Sequence, residues 1–129
     1  MRFGYAILYV EDVEATLEFY ERAFGLERRM LDDGKNYGEL ETGGTRLAFA
    51  ASQFVRSFIP VPLADSGPQN PAPPVELGFV TEDVDSAFRQ AVAAGAVTVK
   101  SPEKKRWGQT VGYVRDLNGF LVEICSPMP

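Results

Sequence analysis

Two carboxylates that lie in apolar segments have the clearest chemical potential in this chain. Glu123 lies in the run Leu-Val-Glu-Ile-Cys, and Glu76 begins the run Glu-Leu-Gly-Phe-Val. A carboxylate inside an apolar strand is costly unless it is paired, solvated or bound to a cation. Glu123 is therefore either a structural hydrogen-bond acceptor or a group that faces a ligand. For Glu76, at the start of a strand, the alternative to a ligand is simple solvation.

The absence of histidine from the chain is as informative as these two carboxylates. This removes the commonest general base, the commonest soft metal ligand and every Ser-His or Cys-His nucleophile scheme. Cys125 is the single cysteine, so an internal disulfide is excluded and a reducing compartment is expected. Cys125 also has no base partner in the sequence, and we do not expect it to act as a nucleophile.

Trp107 and Gln109 form a further pair of candidate ligand-binding residues. They open a predicted strand in the run Trp-Gly-Gln. The indole could stack on a ligand while the amide orients it. Packing at the rim of a cavity is the equally weighted alternative.

Length and charge exclude several function classes. A chain of 129 residues forms one domain of ordinary size, here 1–129. The net charge of -5 argues against a nucleic-acid partner, since phosphate binding needs a basic face. No apolar run approaches a membrane span, and the start of the chain lacks a signal-peptide pattern. We expect a cytoplasmic protein without membrane association.

One motif occurs twice. Residues 5–14 and 76–85 each contain a short apolar strand followed by a Glu-Asp-Val-acid step. A helical pattern follows each copy, with an aspartate (Asp12, Asp83) as N-cap and a glycine (Gly25, Gly95) at its end. A unit of this length rarely buries its own apolar face, so the two copies should combine into one domain. The space between them is the expected ligand site.

The remaining pattern predicts two βαβββ modules. Module one is 1–51 and module two is 75–129, with a proline-rich linker or flap at 52–74. The predicted strands are 3–10, 26–31, 37–41 and 45–50 in module one and 76–81, 96–100, 109–115 and 120–125 in module two. A polar loop is predicted at 101–106. The expected fold class is α+β, with the modules forming a curved mixed sheet around a cavity.

Side chains alternate across a strand, so each sheet has one face toward its helix and one face inward. Placing the apolar residues of each strand on the helix side leaves equivalent positions of the two modules on the inward face. These are Tyr5, Ala48, Glu76 and Glu123, with Ile7 beside Tyr5. The predicted ligand-binding residues are therefore these five together with Trp107 and Gln109.

The ordered motifs resemble the glyoxalase/bleomycin-resistance/dioxygenase superfamily, also called the vicinal oxygen chelate superfamily. Residues 5–26 resemble its opening, and later matches are 82–85 (Glu-Asp-Val-Asp), 93–96 (Ala-Ala-Gly-Ala), 107–110 (Trp-Gly-Gln-Thr) and 115–123 (Arg-Asp-Leu-Asn-Gly-Phe-Leu-Val-Glu). The resemblance implies two βαβββ modules around a cavity, commonly in a homodimer that exchanges modules. Metal-dependent members carry His, Gln or Glu ligands at the four inward positions. This chain has Tyr5, Ala48 and Glu76 there, and only Glu123 matches.

Three functions remain open on this basis. The preferred one is a small-molecule-binding protein of the bleomycin-resistance type, which sequesters its ligand without a metal or other cofactor. The alternative is a lyase or isomerase resembling lactoylglutathione lyase, in which Glu123 or Glu76 serves as general base or as ligand of a divalent metal such as Mg²⁺ or Mn²⁺, with Glu123 the candidate catalytic residue. The third is a non-catalytic partner-binding module. The sequence does not name the ligand.

Overall fold

The computed structural model describes all residues, 1–129, and contains the two predicted βαβββ modules. The elements are β1 Tyr5–Val10, α1 Val13–Phe24, β2 Arg28–Leu31, β3 Tyr37–Leu40, β4 Arg46–Ala51, α2 Ser52–Arg56, β5 Glu76–Val80, α3 Val84–Ala93, β6 Val97–Lys104, β7 Thr110–Arg115 and β8 Leu121–Cys125. The α+β fold class predicted from the sequence is confirmed. No helix has both the length and the apolar character that a membrane crossing requires.

Each module forms its own four-stranded sheet. The strand orders are β1-β4-β3-β2 and β5-β8-β7-β6, so the second sheet repeats the topology of the first. The pairs β1–β4 and β5–β8 are parallel and the other pairs are antiparallel, which makes both sheets mixed. No strand of one sheet pairs with a strand of the other, so the two sheets stay separate. Each sheet has two edge strands, β1 and β2 in the first and β5 and β6 in the second. The outer edges of β1 and β5 have no partner strand and are here called their free edges.

The local sequence explains where the two long helices begin. The Asp12 carboxylate accepts from the backbone N–H of Ala15 at 3.0 Å, and Asp83 accepts from Ser86 at the same distance. Both satisfy backbone donors of a first turn that have no partner inside the helix. α1 ends at Gly25, which adopts a left-handed φ of 69°. α3 ends slightly before Gly95, with Ala94 as its C-cap residue.

The modules share one apolar core, which lies on the helix side of both sheets. α1 packs against α3, and the largest fully buried side chains include Tyr20, Phe19, Phe49 and Leu17. Phe24 of α1 packs against Phe79 of β5 with ring centroids 4.9 Å apart. Neither module therefore buries its apolar face alone, as the length of the repeat predicted.

A glycine lies beneath each long helix. A Cβ on Gly38 of β3 would come within 2.7 Å of Leu17 Cδ1, and a Cβ on Gly112 of β7 would come within 2.9 Å of the Phe88 ring. These glycines hold matching positions, because Gly38 pairs with Phe49 of β4 and Gly112 pairs with Ile124 of β8. The close approach of each helix to its sheet therefore depends on a missing side chain.

Some predicted boundaries are wrong. The loop predicted at 101–106 is strand as far as Lys104, because β6 continues to pair with β7 through two register shifts. The segment predicted to be irregular begins with the short helix α2, which ends before the first proline of the linker, Pro60. On α3, Val92 is 38% exposed, because it lies at the margin of the apolar stripe that Val84, Phe88 and Ala91 form.

Candidate functional site

The face of each sheet that lies away from the shared core is here called its open face. The side chains of the first open face are Tyr5, Ile7, Tyr9, Tyr37, Glu39, Arg46, Ala48 and Ala50. Those of the second are Glu76, Gly78, Val80, Val111, Tyr113, Arg115, Leu121, Glu123 and Cys125. The assignment follows from strand alternation, because the intervening residues, such as Leu8, Val122 and Ile124, belong to the core.

The open faces hold the predicted inward positions but divide them between two sheets. Tyr5 and Ala48 lie on the first open face, whereas Glu76 and Glu123 lie on the second. Tyr5 is 55% exposed and Ile7 45% exposed, while Ala48 is covered by its neighbours. Within one chain the two pairs of positions therefore belong to separate surfaces.

Glu123 is held by a tyrosine on the neighbouring strand. Tyr113 Oη donates to Glu123 Oε1 at 3.0 Å, across the directly opposed pair of β7 and β8. Burial, followed by this hydrogen bond, raises the pKa of Tyr113 to about 12, so the phenol stays a donor near neutral pH. Burial and then the neighbouring Glu123 also raise the pKa of the Cys125 thiol, which disfavours a thiolate nucleophile.

The second carboxylate oxygen of Glu123 faces a gap. Gly78 lies directly opposite Glu123 in the β5–β8 ladder, and a Cβ placed on Gly78 would meet only Glu123 Oε2, at 3.8 Å. Neither Glu123 nor Glu76 forms an ion pair with a lysine or arginine. The second open face thus carries two carboxylates without an ion-pair partner, since its one arginine, Arg115, donates to the backbone oxygens of Gly119 and Asn70 instead.

The first open face contains a similar pair that is neutralised. Tyr37 Oη donates to Glu39 Oε2 at 2.7 Å, and the Arg29 guanidinium lies 3.2 Å from Glu39 Oε1. Arg46 bridges from the other side, 4.0 Å from Glu39 and 3.2 Å from Glu41. Burial, followed by the hydrogen bond to Glu39, raises the pKa of Tyr37 well above its usual value.

Glu39 was not among the predicted site residues. It is a buried carboxylate in the run Tyr-Gly-Glu-Leu, where Leu40 belongs to the core and Glu39 therefore lies on the open face. Its position matches that of Tyr113, because Glu39 pairs with Ala48 as Tyr113 pairs with Glu123. Strand alternation with Tyr37 was the signal that could have identified it.

Trp107 and Gln109 bind each other at the turn between β6 and β7. Trp107 Nε1 donates to Gln109 Oε1 at 2.7 Å, and Gln109 Nε2 donates to the backbone oxygen of Ser126 at 2.9 Å. The amide thus holds the segment after β8, as the rim-packing alternative requires. The indole is 53% exposed. Its predicted contact with a ligand stays a prediction.

The residues present do not fit a metal centre of the family type within one chain. No three side chains among Cys, Asp and Glu converge anywhere in the structure, and the chain lacks histidine. On the second open face only Glu76 and Glu123 could supply oxygen ligands, and hard divalent cations prefer six or more. The donor set is therefore poor for metal-assisted enolisation.

The linker covers the outer edge of β1 and leaves an apolar groove there. This groove has a volume of about 840 Å³ and is lined by residues 6–9 of β1, by Leu77 and Phe120, and by the last three prolines of the linker, Pro71, Pro73 and Pro74. Arg115 holds the linker by donating to the backbone oxygen of Asn70 at 2.7 Å, and Ser66 Oγ donates to the backbone oxygen of Tyr9 at 3.1 Å. Ile7 is the one predicted site residue that reaches the groove.

The comparisons with known proteins agree with this architecture. The family model "Glyoxalase/Bleomycin resistance protein/Dioxygenase superfamily" matches residues 2–124. An uncharacterized protein of Mycobacterium bovis is 30% identical over 94% of this chain and 80% of its own length. The uncharacterized protein YraH of Bacillus subtilis is 24% identical, with 91% of both chains covered.

Solved structures share the fold at lower sequence identity. A glyoxalase-related enzyme from Fulvimarina pelagi superposes with a TM-score of 0.85 at 21% identity, over 98% of this chain and 88% of its own. TioX from Micromonospora sp. ML1 gives a TM-score of 0.72 at 23% identity, over 98% of both chains. At these identities the likeness is one of fold and does not carry an activity.

Proposed function

The chain belongs to the glyoxalase/bleomycin resistance protein/dioxygenase superfamily, and within it we propose that this protein binds a small organic cation without catalysing a reaction. The observation that carries the proposal is the pair of carboxylates on the second open face, Glu76 and Glu123, for which no cationic side chain is a partner. A bleomycin-resistance type of function, in which a ligand is sequestered, needs only such a site.

Geometry at Glu123 supports a cation that carries N–H donors. Tyr113 occupies one carboxylate oxygen, and the gap above Gly78 leaves the other accessible. A charge-assisted hydrogen bond to that oxygen is stronger than a neutral one. The Tyr113 ring next to it offers an aromatic wall for a flat cation. The proposed ligand is therefore an aromatic amidine or amine.

A second copy of the chain would complete the cavity, and we propose that the protein is a homodimer. Gly4 O accepts from Arg46 N at 2.8 Å, so in the parallel pair the backbone groups of Tyr5, Ile7 and Tyr9 point to the free edge of β1. Val80, beside the free edge of β5, is 64% exposed. The linker lies along the β1 edge, where Ser66 Oγ donates to the backbone oxygen of Tyr9. The joint between two copies would therefore include the linker, and it would place a first and a second open face around one cavity.

The enzyme alternative finds less support. A lyase or isomerase that enolises its substrate needs a base, which Glu123 could supply, and an electrophile that stabilises the developing oxyanion. Glu76 and Glu123 alone are too few ligands to hold a metal ion as this electrophile. Tyr113 cannot donate to the oxyanion either, because its hydroxyl already donates to Glu123. No observation favours the third alternative, a partner-binding module. A cytoplasmic location stays part of the proposal and is supported by the single, buried cysteine.

The test is calorimetric titration with benzamidine, using benzamide as the uncharged isostere. We expect benzamidine to bind and benzamide not to bind. Glu123→Gln should weaken benzamidine binding about tenfold or more, because it removes the charge but keeps the shape. Glu82→Gln is the matched control, since Glu82 is exposed in the loop before α3, off both open faces. It should bind benzamidine as the wild type does.

Two outcomes would contradict the proposal. Equal benzamidine affinity in the wild type and Glu123→Gln would show that this carboxylate is not the site. A near-stoichiometric divalent ion in protein purified without chelator or nickel resin, lost in Glu123→Gln, would instead favour the metal-assisted enzyme.

A further inference from the structure

A buried polar network joins the two modules. Tyr20 Oη of α1 donates to Asp116 Oδ2 at 2.5 Å, and Asp116 Oδ1 accepts from the backbone N–H of Asn118 at 2.9 Å and of Phe120 at 2.8 Å. Asn118 Nδ2 in turn donates to Thr16 Oγ1 of α1 at 2.9 Å. The four side chains of Thr16, Tyr20, Asp116 and Asn118 are here called the inter-module network. All are buried, with exposures of 0%, 0%, 2% and 7%.

The network is unusual because the contact around it is apolar. The neighbouring inter-module contacts are aromatic, such as Phe24 and Tyr20 against Phe79. Apolar side chains of similar volume often stabilise a core as well as a buried polar group does, since burial removes polar groups from water. What a hydrogen-bonded network adds is direction, because each donor needs one particular acceptor.

The network has no counterpart at the equivalent positions of the repeat. Adding the 71-residue offset of the helices carries Thr16 to Ala87 and Tyr20 to Ala91. Aligning Gly119 with Gly44 carries Asp116 to Glu41 and Asn118 to Gly43. Glu41 is exposed at the surface, where it pairs with Arg29 and Arg46. The helix of module two and the turn of module one therefore carry no equivalent network.

We infer that the inter-module network makes the pairing of modules one-directional, so that module one packs only on module two. Two copies of module one packed helix to helix would bury the Tyr20 hydroxyl without its acceptor Asp116. Thr16 Oγ1 would lose its donor Asn118 but would keep its own bond to the backbone oxygen of Asp12. Two copies of module two would bury the Asp116 carboxylate against Ala91, which offers no donor. Each such mispairing leaves a buried polar group unsatisfied, and that cost is the source of the specificity. The inference does not depend on the proposed ligand.

The consequence concerns assembly. Modules that pair only with the opposite module close into one discrete species, whereas modules that also pair with themselves join chains into open-ended assemblies. The bulky α1 face, with Tyr20 and Phe24, and the smaller α3 face, with Ala91 in the place of Tyr20, also differ in shape. The network adds to this difference the buried, directional part of the preference for the opposite module.

The test is the double variant Thr16→Val/Tyr20→Phe of the full chain, measured by size-exclusion chromatography with light scattering and by native mass spectrometry. Both substitutions keep side-chain volume and remove the groups that mispairing would leave unsatisfied. We expect the wild type to be one species. In the variant the ratio of that species to larger assemblies should fall about ten- to hundredfold, most clearly at high protein concentration. Tyr20→Phe alone, the milder change, should shift the ratio in the same direction.

Tyr37→Phe is the matched control. It also removes a tyrosine–carboxylate hydrogen bond, that to Glu39, but on the first open face rather than between modules. This control should remain one species. If the double variant stays a single species of wild-type mass at every concentration and loses only thermal stability, the network is merely stabilising and the inference fails.

Discussion

At the scale of single residues, the two modules use the same pair of side chains in different electrostatic settings. Tyr37–Glu39 and Tyr113–Glu123 both place a phenol on a carboxylate at an open face. Arginines neutralise Glu39, whereas no cation neutralises Glu123. The two pairs do not occupy equivalent positions of the repeat, because Glu39 matches Tyr113 and Ala48 matches Glu123. Of the two carboxylates, only Glu123 has no arginine partner.

Asp116 supports a prediction at the same scale. Burial raises the pKa of its carboxyl, although hydrogen bonds from Tyr20 and from the backbone of Phe120, Asn118 and Gly119 partly oppose the shift. A raised folded-state pKa gives stability that is fully present below the unfolded value of about 3.9 and is lost as pH rises through the folded value. The side chain of Asp116→Asn cannot ionise. The stability of this variant should therefore rise relative to that of the wild type as the pH increases from about 3.5, just below the unfolded pKa, to about 7.

Urea denaturation at a series of pH values measures this difference. At the acid end of the series, the wild type should have its greatest stability relative to Asp116→Asn. A gap that instead widens in favour of the wild type with rising pH would mean that the hydrogen bonds outweigh burial and hold the folded pKa below its ordinary value.

At the scale of elements, a glycine beneath each helix sets the distance between helix and sheet. Leu17 of α1 lies over Gly38 as Phe88 of α3 lies over Gly112. The larger side chain over Gly112 shows that the two modules fill the same space with different volumes. Packing at these two crossings is therefore specific to each module although the backbone device is shared.

Gly38→Ala should destabilise the protein by about 1–3 kcal/mol, because the added methyl overpacks a filled core. The Cβ would lie 2.7 Å from Leu17 Cδ1 and 3.2 Å from the backbone oxygen of Met30, which cannot readily move. Gly44→Ala is the matched control, since a Cβ there meets nothing within 4 Å. Chemical denaturation gives both free energies, and equal stability of the two variants would contradict the packing argument.

Elements were more predictable than the site because they depend on local signals. The capping aspartates Asp12 and Asp83 and the stop at Gly25 are fixed by adjacent backbone groups, so the helices were predicted nearly to the residue. Strand alternation likewise assigned Glu123 to an open face. Which surfaces meet is decided by how α1 packs on α3, and the apolar periodicity of a helix does not specify its partner. The length of β6 was underestimated, because exposed charged residues such as those at its end are also typical of loops.

At the scale of the whole molecule, one chain leaves both open faces uncovered. Tyr5, Ile7 and Val80 are large apolar side chains beside the free edges of β1 and β5, with exposures of 55%, 45% and 64%. Exposed apolar groups next to unpaired strand edges are typical of surfaces that another chain covers. This is the physical basis of the proposed homodimer.

Ile7→Asp should convert the proposed dimer to a monomer of 14.2 kDa, because a charge would be buried in the joint between two edges. Val92→Asp is the control, since Val92 is 38% exposed on α3, away from both open faces. Light scattering after size exclusion reports the mass of each. A wild-type protein that is monomeric at every concentration would refute the dimer.

The free edges of β1 and β5 also matter while the chain is still being made. In a newly synthesised copy these two edges have no partner strand, and unrelated strands could add to them. Both edges begin close to charge, with Arg2 and Arg46 near the start of β1 and Glu76 at the start of β5. Charges at an edge discourage uncontrolled strand addition and amyloid-like growth. We therefore expect these charged side chains to disfavour aggregation of the newly made chain through its open strand edges.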